Sequence, residues 1–314
     1  MLLIYIDLDI FHPRPRRLIA LDIALDLIAW PGIYILRMSS SPSHRVRSYG
    51  GPMRKISIPV TVLFLLATAL PLAAQQTASE PAPSASGLYL MADIQVDVSR
   101  APEYEAALKD LIAALASSAF PVTFDTYATD DSRYFIIYGL ESFGSVDGLH
   151  QAWREVASRI GAEKFRALHG RMTAVENGRV LKFWTFRPDI SFLPVPERLK
   201  PEEYGYYTWD FVQLLPGKEA EFEAINREWA ALSRAKGARD PFMTYQGGIG
   251  TDEPVYVWFE YGKSAADYAL AEEAFWKALG AEGAALSKRT RALIRRQETK
   301  TGRYRPDLSY APKR

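Results

Sequence analysis

The chain has 314 residues, with 38 basic and 37 acidic side chains, four His and no Cys. A formal charge of +1 gives no electrostatic footprint for nucleic acid, and the absence of Cys excludes a disulfide framework and a lipidated N-terminal Cys. Hydrophobic residues make up 48% of the chain, enough for the core of one large domain or two small ones.

Residues 1–52 hold an apolar run from Leu18 to Leu36 that Asp22 and Asp26 interrupt and that Pro31-Gly32 would break as a helix. Met53-Arg54-Lys55 then opens the pattern of a cleavable export signal. It has a short basic start, an apolar run from Ile56 to Leu72, and the small residues Ala73-Ala74 before Gln75. The run is short for a membrane span. Residues 53–74 therefore read as a signal peptide, 1–52 as an extension created by a start codon placed too far upstream, and the product as periplasmic or secreted with no stable membrane anchor. Without residues 1–74 the body carries a charge of about −3. Residues 75–86 are small, polar and Pro-rich, and read as a disordered linker.

From Gly87, apolar Leu88, Leu90, Ala92, Ile94, Val96 and Val98 alternate with Tyr89, Met91, Asp93, Gln95 and Asp97, which predicts a strand with one apolar face. Pro102 suits the first turn of a helix carrying Tyr104, Leu108, Leu111, Ile112 and Leu115. Val122 to Tyr127 and Tyr134 to Leu140 form a hairpin about Asp130-Asp131-Ser132. Asp147 is placed to cap a second helix, which Gly161 bends or breaks and which resumes through Phe165, Leu168 and Met172. Asn177-Gly178 reads as a turn before a fourth strand, Val180 to Phe186. After a linker over 194–203 the order β-α-β-β-α-β recurs. Its strands are Tyr204 to Leu215, Phe242 to Gln246, Val255 to Tyr261 and Glu298 to Tyr304. Its helices carry Phe222, Ile225, Trp229 and Leu232, and then Ala265 to Leu279 with a continuation from Ala284 to Ile294.

The two copies, 87–193 and 204–310, close on related phrases. Phe186-Arg187-Pro188-Asp189-Ile190-Ser191-Phe192 returns 118 residues later as Tyr304-Arg305-Pro306-Asp307-Leu308-Ser309-Tyr310. The expected fold is α+β: two tandem ferredoxin-like units whose uncovered sheet faces close on each other within one chain. Leu214-Leu215-Pro216-Gly217-Lys218 followed by Phe222 is similar to the Pro-Gly-Lys turn that opens the first helix in many dimeric α/β-barrel domains. The copies thus resemble that superfamily, which includes antibiotic-biosynthesis-monooxygenase-like and NIPSNAP-like domains. The first copy departs from the turn, with Val98-Ser99-Arg100-Ala101-Pro102 and Tyr104 in its place. The resemblance implies a pseudo-dimeric barrel. Its members include cofactor-independent oxygenases, isomerases, haem-handling enzymes and proteins without known activity, so it leaves the function open.

Arg187 and Arg305, with Asp189 and Asp307, either bind an acidic ligand or brace the copies, and their repetition favours bracing. Asp210 stands among Tyr207, Trp209 and Phe211 where the first copy has Ala92. A carboxyl in such surroundings is a candidate general base, or else a paired structural acid. His150 and His169 are the His residues after the signal, at no metal-pair spacing. His169 is a candidate ligand contact against the plainer reading of a surface side chain. Trp184, Tyr207 and Trp209 either line an apolar pocket or fill the core. Gly247-Gly248-Ile249-Gly250 lies in a hairpin and reads as a turn, and Lys288, Arg289, Arg291, Arg295 and Arg296 read as a solvated helix end. No metal site is expected, and no cofactor is specified. The chain reads as an exported protein that binds a small apolar or aromatic molecule in a pocket between helices and sheet. The alternatives are a cofactor-independent or haem-dependent monooxygenase-like enzyme, or a structural module without a ligand. Expression from Met53 should yield a mature protein whose N-terminal sequencing reads from near Gln75; an exported product that keeps residues 1–52 contradicts the export reading.

Overall fold

In the computed structural model the chain divides into two compact units, residues 1–69 and 70–314. In the first, the structure describes one antiparallel pair of two-residue strands, Ala29–Trp30 with Ile33–Tyr34. In the second it describes residues 86–312. The expected signal peptide, the upstream extension apart from those four strand residues, and all but the last residue of the linker lie outside the described residues. Among the described residues no helix is long and apolar enough to cross a membrane.

The second unit is α+β. Strand β1 (Leu88–Val96) leads into α1 (Ala101–Ser117), β2 (Asp125–Thr129), β3 (Arg133–Leu140), α2 (Ser145–Ile160), α3 (Ala162–Thr173) and β4 (Glu176–Phe186). Then come β5 (Tyr206–Leu214), α4 (Glu219–Ala235), β6 (Met243–Gly247), β7 (Val255–Gly262), α5 (Ala265–Arg291) and β8 (Ile294–Tyr304). The eight strands close into one antiparallel barrel in the order β8-β2-β3-β1-β4-β6-β7-β5. Residues 88–186 thus supply four adjacent strands, β4-β1-β3-β2, and residues 206–304 supply β8-β5-β7-β6. A closed eight-stranded barrel with five helices is compatible with a dimeric α/β barrel.

Alternation along each strand sorts side chains to two faces. Leu88, Leu90, Ala92, Ile94 and Val96 of β1 face outward and pack with Tyr104, Leu108 and Leu115 of α1 and Val156 of α2. Val212 and Leu214 of β5 do the same with Phe222, Ile225 and Trp229 of α4. The inner face is a third cluster, holding Tyr89, Met91, Tyr127, Phe135, Trp184, Tyr207, Trp209, Val257 and Phe259. The strand expected to have one apolar face is therefore buried on both, because closure covers the second.

Two seams complete the ring. Trp184, Thr185 and Phe186 of β4 pair with Gly247, Gln246 and Tyr245 of β6. Gly302, Arg303 and Tyr304 of β8 pair with Thr129, Ala128 and Tyr127 of β2. Every residue in the second set lies 118 positions from its counterpart in the first. Beyond each seam the Arg-Pro-Asp phrase forms a 3-10 turn, Pro188–Ile190 and Pro306–Leu308. Arg187 binds Asp189 at 2.8 and 2.9 Å and reaches Glu223 of α4 at 2.6 and 2.9 Å. Arg305 binds Asp307 at 2.8 and 2.9 Å and reaches Glu105 of α1, its Nη2 lying 2.7 Å from Oε2. Each guanidinium holds its own turn and a helix from the other half of the barrel, in the bidentate geometry that makes Arg–carboxylate pairs strong.

Several local expectations are corrected. Asn177-Gly178 is no turn: Gly178 pairs with Gln95 inside β4, because β1 is long enough to extend the ladder, with a register shift at Gln95/Val96. Asp147 does not cap α2; Gly144 is at that position, and Asp147 lies in the first turn. Strand β2 begins at Asp125 rather than Val122, and Phe124 makes an isolated bridge to Tyr310. Helix α5 runs from Ala265 to Arg291 with Gly280 at φ 55° inside it, and β8 begins at Ile294, ahead of the expected Glu298. The break expected at Gly161 is present, at φ 94°.

Arg305→Met should lower the unfolding free energy by about 2–4 kcal/mol in denaturant titrations, because it takes the cation from Glu105 and leaves Asp307 with Lys109 alone. Lys109→Met, which removes only a half-exposed partner of Asp307, should cost under about 1 kcal/mol. The Arg187 guanidinium holds the Asp189 carboxyl down at about 2, against ~3.9 in an unfolded chain. Stability from that pair is therefore complete above pH ~4 and lost as the pH falls toward 2. Arg187→Met should flatten that part of the acid unfolding curve.

Candidate functional site

Strand β7 is the sequence Val-Tyr-Val-Trp-Phe-Glu-Tyr-Gly. Val255, Val257, Phe259 and Tyr261 point into the barrel. Tyr256, Trp258 and Glu260 alternate with them and lie under the helices, so the strand delivers one carboxyl to an otherwise aromatic outer row. Gly262 lets α5 start close above it: a Cβ there would sit 2.9 Å from the Tyr268 Cβ and 3.2 Å from its backbone. The Ser264 hydroxyl caps α5 by accepting the Asp267 N–H at 3.2 Å. The first turn then places Tyr268 over Glu260, and the Tyr268 hydroxyl donates to the Glu260 carboxylate.

On the neighbouring strand β5, Thr208 is in register with Glu260 and Asp210 with Trp258. Glu260 and Asp210 are therefore diagonal neighbours on one face, the arrangement in which long side chains interact. Asp210 accepts hydrogen bonds from Thr299 Oγ1 and, at 3.4 Å, from Gln297 Nε2 of β8. Burial pushes the Asp210 carboxyl up, against those two bonds. Burial also pushes Glu260 up, to about 8, and the charges of Asp210, Glu272 and Asp240 add to it while the Tyr268 bond opposes it. The charges bearing on Glu260 are all acidic, so at neutral pH this carboxyl holds a proton.

A cleft of about 40 Å³ opens beside Glu260, lined by Tyr261, Phe242, Tyr268, Phe275, Ala271 and the acids Asp240 and Glu272. Glu272 is exposed, so the cleft meets solvent there. Asp240 is held by Arg198, with Nε 2.5 Å from Oδ1. Arg198 also binds Asp267 at 2.9 Å, which ties the approach to β6 to the start of α5.

The sequence-derived candidates separate into four places. Trp184, Tyr207 and Trp209 point into the barrel, where Tyr207 and Trp209 stack at 6.1 Å and Trp184 packs on Phe211 at 5.8 Å. Asp210 shares β5 with Tyr207 and Trp209 but faces the other way, and the structure brings it to Glu260 instead. His169 is exposed on α3 and stacks on Phe165 at 6.4 Å, and His150 is exposed on α2. Arg187 and Arg305 sit at the seams in the ion pairs described above. Among the described residues no three His, Asp or Glu side chains cluster as metal ligands. Sequence reasoning missed Glu260 and Tyr268. The signal was present: Glu260 is the acid in an eight-residue strand that is aromatic or aliphatic on both faces.

A haem does not fit this cleft. It is well below the ~150 Å³ that benzene fills in an engineered cavity, its open side carries acids, and neither His faces it.

No family model matches the chain, and no curated protein matches it significantly. Several solved structures resemble it in part. An anthrone oxidase-like protein is 14% identical, with 70% of this chain and 92% of that one covered at a TM-score of 0.48. A chlorite dismutase from Candidatus Nitrospira defluvii, in complex with imidazole, is 12% identical over 71% and 93%, at 0.43. A heme-binding protein from Thermus thermophilus is 10% identical over 70% and 92%, at 0.40. At these values the likeness carries no chemistry over to this chain.

Glu260 makes stability depend on pH in the alkaline direction. Its carboxyl is neutral up to about pH 8 in the fold and ionises near ~4.3 when unfolded. Its contribution is therefore complete below pH ~4.3 and lost as the pH rises through 8. Glu260→Gln should remove that loss, so its melting temperature should exceed that of the natural chain at pH 9 and approach it at pH 5. Equal pH profiles for the two would contradict the assignment.

Proposed function

We propose that this chain is an exported protein that receives a small aromatic or otherwise apolar molecule bearing a hydroxyl or carbonyl group in the cleft between α5 and the sheet. Glu260 meets the polar group and exchanges a proton with it. The observation that carries this reading is the position of Glu260: a carboxyl at the wall of an aromatic cleft, surrounded by other acids, hydrogen-bonded by a tyrosine and open to solvent on one side. Structural ion pairs do not look like this, because burying a carboxyl without a cation is unfavourable and is retained where the proton has a use. A volume of about 40 Å³ takes a polar head and leaves the rest of the molecule at the mouth beside Phe275 and Glu272.

The same reading assigns the halves as two ferredoxin-like units, 87–193 and 204–310, paired within one chain. It makes the second the working unit. The first has Ala92 where the second has Asp210, and Ala92 is buried against α1 in the apolar cluster there. Turnover is favoured by the two adjacent acids, Glu260 and Asp210. Proton abstraction from a hydroxylated aromatic by the ionised Glu260 is chemistry this pair suits, in an enzyme of the monooxygenase-like class that works without a cofactor. Asp210, predicted as the base, then acts by raising the affinity of Glu260 for its proton.

Phenol does not titrate between pH 6 and 9, so it is a clean probe. Its affinity, measured by calorimetry, should change as the pH passes through about 8, and Glu260→Gln should make the affinity independent of pH and about three- to tenfold weaker at pH 7. Failure to bind phenol at millimolar concentration, or an unchanged pH profile in Glu260→Gln, contradicts the proposal and favours a structural module.

A further inference from the structure

The first half holds a cleft of its own, where the end of α1 faces the break between α2 and α3. It measures about 450 Å³, against about 40 Å³ at Glu260, and so falls within the roughly 300–1,000 Å³ of small-molecule sites. Ala114, Ala119 and Ile160 give it an apolar wall. Arg159 and Lys164 are its charged lining residues, and no Asp or Glu lines it.

The second half shows how the same place looks when it is closed. Helices α1 and α4 end alike, at Ser118 and Lys236, and the residue after each has positive φ: Ala119 at 51° and Gly237 at 69°. Gly161-Ala162-Glu163 at the helix break recurs as Gly280-Ala281-Glu282. In the second half Lys236 crosses to Glu282, with Nζ 2.6 Å from Oε1. Ser118 is too short for such a link, and its hydroxyl donates to the Ala114 carbonyl at 2.9 Å. The first half therefore lacks the bridge. It also keeps Ala in a conformation that Gly adopts at less cost, which adds a methyl to the lining.

The two cations differ in what the fold asks of them. Arg159 is in the last turn of α2, where a cation is favoured. Its Nη1 donates to the Ser118 carbonyl at 2.8 Å and its Nη2 to Glu155 at 3.1 Å, which fixes the guanidinium at the cleft. Lys164 is in the first turn of α3, where the helix dipole disfavours a cation. It is exposed and makes no ion pair among the described residues, so helix stability does not account for it. The Ser117 hydroxyl donates to the Ala114 carbonyl, as Ser118 does, which leaves Arg159 and Lys164 to donate to a ligand. With Glu155 offsetting part of Arg159, the charge left over suits a monoanion. We infer that this cleft is a binding site, separate from the Glu260 cleft, for a small organic carboxylate with an apolar body: the carboxylate meets Lys164 and Arg159, and the body lies along Ala114, Ala119 and Ile160. The acids around Glu260 repel the same ion, so the two sites take different ligands.

Calorimetric titration of the full chain with sodium benzoate at pH 7 tests this. The expected result is saturable binding with a Kd in roughly the millimolar range set by so few atoms. Lys164→Glu should weaken it about tenfold or more, and Lys164→Arg, which keeps the charge, should hold it within about threefold. Lys164 is exposed, so both variants should keep the melting temperature and the phenol affinity of the natural chain. Glu260→Gln should leave benzoate binding unchanged. Heats that stay linear in benzoate overturn the proposal, as does an unchanged affinity in Lys164→Glu or an equal loss in Lys164→Arg. Loss of benzoate binding in Glu260→Gln also overturns it, since the ligand would then occupy the other cleft.

Discussion

The sheet has two apolar faces, and helices cover only one of them. That constraint shapes the rest of the molecule. Tyr89, Tyr127, Phe135, Trp184, Tyr207, Trp209 and Phe259 all stand on the uncovered face, and burying a large apolar side chain is worth roughly 1.5–3 kcal/mol. Four strands cannot hide that face alone. Eight can, by closing, and closure also removes the unpaired edges that an open sheet exposes. The inner face then turns polar at Asp93, which is buried between Arg133 at 2.9 Å and Lys182 at 2.5 Å.

Closure makes the two seams the points of greatest demand, since each joins strands from different halves by only three register pairs. The turn after each seam reinforces it. The Arg187 N–H donates to the Thr244 carbonyl and the Arg305 N–H to the Thr126 carbonyl, each at 2.8 Å. Ser191 and Ser309 accept from the Thr244 and Thr126 N–H groups at 2.9 Å. The guanidiniums then carry the connection outward to α4 and α1. Backbone, hydroxyl and ion pair thus act at one place in each half, and the repeated phrase is the sequence record of that demand.

Much of this was legible. Period-two alternation marked the strands, and the return of Arg-Pro-Asp after 118 residues marks the positions of both seams. What local pattern could not give was pairing. Asn177-Gly178 has the chemistry of a turn, yet β1 extends far enough to hold it in a ladder. Tyr89 and Met91 look like the solvated face of a strand until a second set of four strands arrives opposite. The facing of the candidate acid was hidden for a related reason. Asp210 and Trp209 are adjacent in sequence but face opposite ways, so an acid read as lying among aromatics actually lies on the other side of the sheet from Trp209. Glu260 was hidden because its partner Tyr268 comes from the next helix, brought close by Gly262, and no spacing rule links the two.

Glu260 holds a proton at neutral pH because the fold removes it from most of its water, gives it no cation and surrounds it with acids. Carbon-13 NMR of the labelled Glu260 side-chain carboxyl, assigned by its loss in Glu260→Gln, tests this directly. The account predicts a titration midpoint near 8 that falls when Asp210 is replaced by Asn. A midpoint near ~4.3, the value of an unperturbed glutamate, would contradict it.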